Sequence, residues 1–129
     1  MDKVYIQLFS EIAHAVELTA EQVLENNLKE NDADGEHAAV VMRDSYAKLY
    51  DKIRDDNFVE SMLDRADYAK LLVGAFIVTQ NLEQKIETEK KALQGYKIDT
   101  LPKLDRIMNE TKNDEEAKLL AKEIFNSNI

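Results

Sequence analysis

The chain has 129 residues and 14.8 kDa, 44% apolar and 33% charged, with three glycines, one proline and no cysteine. That length suits one domain able to hide roughly two-thirds of its unfolded surface, so no metal or disulfide staple is required. The missing cysteine excludes disulfide frameworks, thiolate metal sites and thiol catalysis, the scarce Gly and Pro argue against a turn-rich β-fold, and the net charge of −9 argues against nucleic-acid binding.

The first apolar stripe holds Tyr5, Leu8, Phe9, Ile12, Val16, Ala20 and Val23, with Glu11, His14, Glu17, Glu21 and Glu25 opposite. Spacing near 100° per residue predicts one amphipathic helix over about 2–30. Thr19-Ala20-Glu21-Gln22 has the form of a capping box, but the stripe keeps its phase across it, which favours a single helix, bent or straight. Asn31-Asp32-Ala33-Asp34-Gly35 reads as a loop. A second helix is predicted over about 36–56, with Ala38, Ala39, Met42, Tyr46, Leu49, Tyr50 and Ile53 inward. Residues 58–63 form a short helical connector, and Asp64 caps a third helix with Asp67 in its positive first turn.

The third helix is predicted over about 64–94, with Gly95 as its stop. Its Leu71–Val78 belt is apolar on every side, so it is expected to be covered all round, either as the central helix of a monomer or partly as a homodimer seam. The candidate seam is Leu71, Leu72, Gly74, Ala75, Phe76 and Ile77, where Gly74 and Ala75 would let two backbones approach closely. Leu18 and Val41, apolar residues on otherwise polar faces, point the same way. Thr100-Leu101-Pro102 opens a fourth segment with a cap and an early proline, its inner face being Leu101, Leu104, Ile107 and Met108. Asn113 caps the last helix, with Leu119, Leu120, Ile124 and Phe125 inward. The predicted fold is all-α: one domain, 1–129, forming an antiparallel bundle of three long helices and a fourth split into two short ones.

Charge is uneven. Residues 1–64 carry 15 Asp/Glu against 6 Lys/Arg, whereas 65–129 carry 11 of each. The nearest approach to a basic patch, Lys85, Lys90, Lys91, Lys97, Lys103 and Arg106, is interleaved with Glu87, Glu89, Asp99 and Asp105 and reads as a mixed solvated surface. The acidic half would be repelled by an anionic membrane, and no apolar run approaches ~18 residues. With no basic-then-apolar leader at Met1-Asp2-Lys3, a soluble cytoplasmic protein is expected, and the Lys-, Glu-, Asn- and Ile-rich composition suits a bacterial one.

Constellations that could carry chemistry are incomplete. Glu11-x-x-His14 has the spacing of carboxylate-bridged metal bundles, but the second such pair is missing and both residues share the polar face. Aligned as a calcium loop on Gly35, Glu30, Asp32 and Asp34 fill the first, third and fifth positions, yet the twelfth is Val41 where a bidentate Glu is needed. Ser10 and His14 stand one turn apart without an oxyanion nest, and no phosphate-binding glycine loop exists. Glu89 and Asp67 read as an ion-paired edge residue and a dipole-complementing acid, and Tyr5, Tyr46, Tyr50, Tyr68 and Tyr96 as core-edge residues. No cofactor, metal or catalytic residue is assigned. The expected function is a non-enzymatic interaction or regulatory module whose partner is another protein or a second copy. The alternatives are a small-molecule-binding bundle and a divergent carboxylate/His metal-binding bundle. A binder predicts an enclosed apolar cavity, an adaptor a filled core and an exposed apolar seam.

Overall fold

A computed structural model of the chain describes residues 2–82 and 99–126. Every regular element among them is helical: α1 (Lys3–Lys29), α2 (Ala33–Arg54), a 3-10 turn (Glu60–Met62), α3 (Arg65–Leu82), α4 (Leu101–Glu110) and α5 (Asp114–Ile124). The remainder of the predicted third helix, with Gly95, Glu89, Tyr96 and Lys85, Lys90, Lys91 and Lys97, lies outside the described residues.

α1 begins where the Asp2 carboxylate accepts from the Val4 N–H at 3.0 Å, and it runs unbroken for 27 residues. The capping box at Thr19 is not used, because the Thr19 hydroxyl donates to the Ala15 carbonyl at 2.9 Å and is absorbed inside the helix. α1 stops at Asn31, whose φ of 56° is a left-handed conformation that Asn tolerates better than most side chains. The predicted loop over 31–35 is corrected here: α2 starts at Ala33, because Asp32 serves as N-cap by accepting from the Gly35 N–H at 3.0 Å. Asp34 and Glu36 then fall in the first turn, where the positive end of the helix favours acids. The result is a tight αα-hairpin in which His14, midway along α1, lies against Tyr50 near the end of α2.

α3 is opened by a reciprocal pair. The Asp67 N–H donates to the Asp64 side chain at 2.8 Å, and the Asp64 N–H donates to the Asp67 carboxylate at 3.1 Å. Asp67 is buried and also holds Lys52 of α2 at 2.7 Å, so this acid starts α3 and ties it to the hairpin. At the far junction the expected roles divide. Asn113 caps α5 by accepting from the Glu116 N–H at 2.9 Å. Thr100 does not cap α4: it is buried in helical backbone with no capping bond, while Pro102 does sit in the first turn.

The core gathers Phe9, Ile12, Ala13 and Val16 of α1, Tyr46, Leu49 and Ile53 of α2, Leu63, Tyr68, Leu71 and Ala75 around α3, Leu104 and Ile107 of α4, and Ala117, Ala121 and Phe125 at the C-terminal end. Phe9 is its hub, meeting Phe125 edge-on at 5.1 Å and Tyr68 edge-on at 6.5 Å between ring centroids. Three inward assignments are corrected: Val23, Ala38 and Leu119 are exposed, Leu119 because it lies on the side of α5 turned away from buried Ala117 and Ala121.

The expectation that α3 is the central helix of a monomer, covered all round by its own chain, is also corrected. Leu71 and Ala75 are fully buried and Gly74 is buried, but Val73 is 51% and Phe76 52% exposed, with Leu72 and Ile77 half-buried. Composition marks the belt as apolar; the packing covers only one side of it.

Candidate functional site

Three places could carry function. The first is a cleft of about 330 Å³ between α1 and α2, lined by Gln7, Ser10, Glu11, His14, Tyr50 and Arg54. The hairpin register brings the one-turn spacing of Gln7, Glu11 and His14 opposite Tyr50 and Arg54. The His14 ring stacks on Tyr50 with centroids 4.5 Å apart, and Arg54 donates to the Tyr50 hydroxyl at 2.9 Å with its guanidinium 4.9 Å from the ring centroid. Along the α1 wall of the cleft Gln7 donates to Glu11, one turn on, at 3.0 Å.

This geometry settles what the cleft does with the residues singled out by sequence. Ser10 donates its proton to the Gln7 carbonyl at 2.7 Å, so the hydroxyl serves its own helix instead of presenting a nucleophile to His14. Glu11 is exposed and its oxygen is taken by Gln7, while His14 Nδ1 is buried without a hydrogen-bond partner. Among the described residues no group of three or more His, Asp or Glu side chains could hold a metal. Glu30, Asp32 and Asp34 do not form an ion cage, because Asp32 is spent capping α2 and Val41 is an exposed residue within that helix.

The second place, not signalled by any motif, is a polar junction of α1 with the start of α4. The Tyr5 hydroxyl donates to Asp99 at 2.8 Å, and Lys103 holds the same carboxylate at 2.9 Å while lying 4.8 Å from the Tyr5 ring centroid. Partial burial pushes the Asp99 pKa upward, but the hydrogen bonds from Lys103 and Tyr5 outweigh it and hold the carboxyl below its ordinary range. Burial and the Asp99 contacts leave Tyr5 above its usual value, and Lys103 is raised by its bonds to Asp99 and Tyr5 against the opposing effect of burial. A carboxyl with a depressed folded-state pKa contributes stability above the ordinary carboxylate pKa, and that contribution is lost as pH falls through the folded value. Urea midpoints measured between neutral and acid pH should therefore fall less steeply in Asp99→Asn than in the parent. The junction is a clasp with its charges matched. The one other described member of the mixed Lys/Arg surface, Arg106, is likewise paired, with Glu110 at 2.7 Å.

The tyrosines separate on inspection. Tyr46 donates to the Lys70 carbonyl at 2.8 Å and so fastens α2 to α3. Tyr68 is 1% exposed, a core residue and not an edge one, and burial drives its hydroxyl pKa far up, assisted by the charges of Glu60 and Asp67.

The third place is the outer side of α3. Of the six candidate seam residues, Leu71, Gly74 and Ala75 face the protein's own interior, Leu72 and Ile77 are half-buried, and Phe76 faces out beside Val73. Gly74 does permit close approach, but to α1 and α2 of the same chain: a Cβ there would stand 2.8 Å from Ile12 Cγ2, 3.2 Å from Val16 Cγ2 and 3.3 Å from Tyr46 Cε1. Sequence reasoning missed Val73 as an outward residue, although its position three before Phe76 and seven after Ala66 could have shown it. From Leu71 to Leu82 α3 has no charged residue. Leu18 and Val41 are exposed, as their polar faces implied.

No described helix is long and apolar enough to cross a membrane. Comparisons with protein-family models, curated proteins and solved structures found no match to this chain.

Proposed function

We propose that the chain is a non-enzymatic protein-interaction module of the cytoplasm that docks through the outer face of α3, its partner being another protein or a second copy. The architecture proposed with it is an antiparallel bundle of three long helices whose fourth is broken at Asn113. The observation that carries this reading is the Val73–Phe76 surface. Two large apolar side chains stand half in solvent on a helix stretch without charge, in a chain that is one-third charged elsewhere. The core beneath, with Phe9 edge-on to both Phe125 and Tyr68, is the other feature that fits an adaptor. A small-molecule-binding bundle remains the second reading, favoured by the α1–α2 cleft and its unpartnered His14 Nδ1; that cleft is open and lined by polar groups, unlike the enclosed apolar pocket such binding prefers.

The test is affinity capture from native lysate with the parent chain and Phe76→Asp as baits. The reading expects partners held by the parent and lost with the variant. Equal capture by both baits would move function away from α3.

A further inference from the structure

We infer that the occupant of the outer α3 face is a second copy of this chain, laid head to tail across it about a two-fold axis; this rests on the interaction-module reading and names its partner. The outward positions are Ala66, Ala69, Val73, Phe76 and Gln80, of which Ala69 is half-buried and the others exposed. They follow one another at alternating intervals of three and four residues. That alternation keeps a straight seam turned toward a single neighbouring helix.

Charge selects the kind of partner. At −9 overall, two copies meeting through most faces would bring carboxylates together, for the hairpin displays Glu11, Glu21, Glu25, Asp44 and Asp51. The α3 face avoids this. Among the described residues of α3 the charges are engaged or set aside: Arg65 donates to the Met108 carbonyl at 2.9 Å, Asp67 is buried on Lys52, and Lys70 is half-buried at the flank. A basic partner would need acids on this face, and the seam has none. An equally uncharged helix face is its complement, and the chain itself supplies one.

Side-chain size selects the orientation. The first half of the seam is small, Ala66 and Ala69, and the second half bulky, Val73 and Phe76. A parallel pair would set Phe76 against Phe76 and Ala66 against Ala66, crowded at one end and hollow at the other. Head to tail, Phe76 of one copy falls opposite Ala66 of the second copy, and Val73 opposite Ala69, so each bulky group meets an alanine. The same patch then serves on both copies, as a two-fold interface demands. A seam one helix wide, about 22 Å long for the stretch from Ala66 to Gln80, is smaller than the interfaces of permanent dimers. The dimer is therefore dilution-sensitive.

Light scattering of the purified chain over a dilution series should show the mass rising from 14.8 kDa toward twice that value. Phe76→Asp, altering an exposed residue, should keep the helical circular dichroism and raise the dissociation concentration at least ~10-fold. Because the chain has no cysteine, Ala69→Cys and Val73→Cys report the orientation directly. Mixed, the two variants should form the mutual disulfide several-fold faster than either forms one alone. Faster bridging within Ala69→Cys alone would overturn the head-to-tail arrangement, and a dimer unaffected by Phe76→Asp would overturn the face. A parent that stays monomeric at every concentration overturns the second copy. If lysate partners are then still lost with Phe76→Asp, the interaction-module reading stands without it; if they are not, both fall.

Discussion

Phe9→Ala is expected to destabilise the protein by about 3–5 kcal/mol, read as a lowered urea midpoint with little change in slope. The residue is wholly buried, and its ring is the only one that meets both Tyr68 of α3 and Phe125 after α5 among the aromatic contacts of the described residues. Removing it costs the transfer of a phenyl group from water and leaves a hole whose walls come from three separate helices. Those walls are held elsewhere: α3 is pinned by the Lys52–Asp67 ion pair and by Tyr46 on the Lys70 carbonyl. Collapse into the hole is thereby resisted, which places the cost in the upper part of the range for such truncations. A change near 1 kcal/mol would mean that the aromatic hub is looser than described.

Gly74→Val is expected to be nearly as damaging, at about 3 kcal/mol or more, although glycine within a helix is ordinarily a poor choice. Replacing a mid-helix glycine by a residue with a Cβ normally brings a gain of up to ~1 kcal/mol. Here the first added carbon already stands 2.8 Å from Ile12 Cγ2, and valine adds two more. Ile12 is β-branched and fully buried, so its χ1 has little freedom to yield. Val16 and Tyr46 close the other sides. Steric cost thus exceeds the propensity gain, and the balance is measurable by comparing Gly74→Ala with Gly74→Val: destabilisation should increase with each added carbon. A stabilised Gly74→Ala would show that α3 can shift away from α1 at no expense.

How far residues alone disclose this protein depends on whether one residue type does one job. The α1 stripe from Tyr5 to Ala20 predicts its helix because period and burial coincide there. Asp64, Asp67 and Asn113 are legible for the same reason: a short acceptor before an apolar run has one good use, and the cap bonds match it. Asn31–Gly35 is harder, since Asn, Asp and Gly serve turns and helix starts alike, and only the Asp32–Gly35 bond decides where α2 begins. Thr19 and Thr100 carry the same ambiguity; each has a cap's sequence and is folded into helical backbone instead. The α3 belt marks the limit. With nothing polar between Leu71 and Val78, periodicity loses its contrast, and which side is open depends on where α1, α2 and α4 lie. In the clasp of Tyr5, Asp99 and Lys103 only the Asp99–Lys103 pair has a local trace, its four-residue spacing, because Tyr5 is brought to it by tertiary packing over more than ninety residues.

The Phe9–Phe125 contact also sets a schedule for vectorial synthesis. The two rings are 116 positions apart, and the Asp2 N–H donates to the Phe125 carbonyl at 3.0 Å, so the segment that seals the interior reaches solvent long after α1 and α2 have left the ribosome. At about 5–20 residues per second, the 71 residues from the end of α2 to Phe125 take on the order of 4–14 s to add, while the nascent hairpin holds Phe9 uncovered. Ribosome-bound chains released before residue 125 should therefore be the species most readily captured by a chaperone.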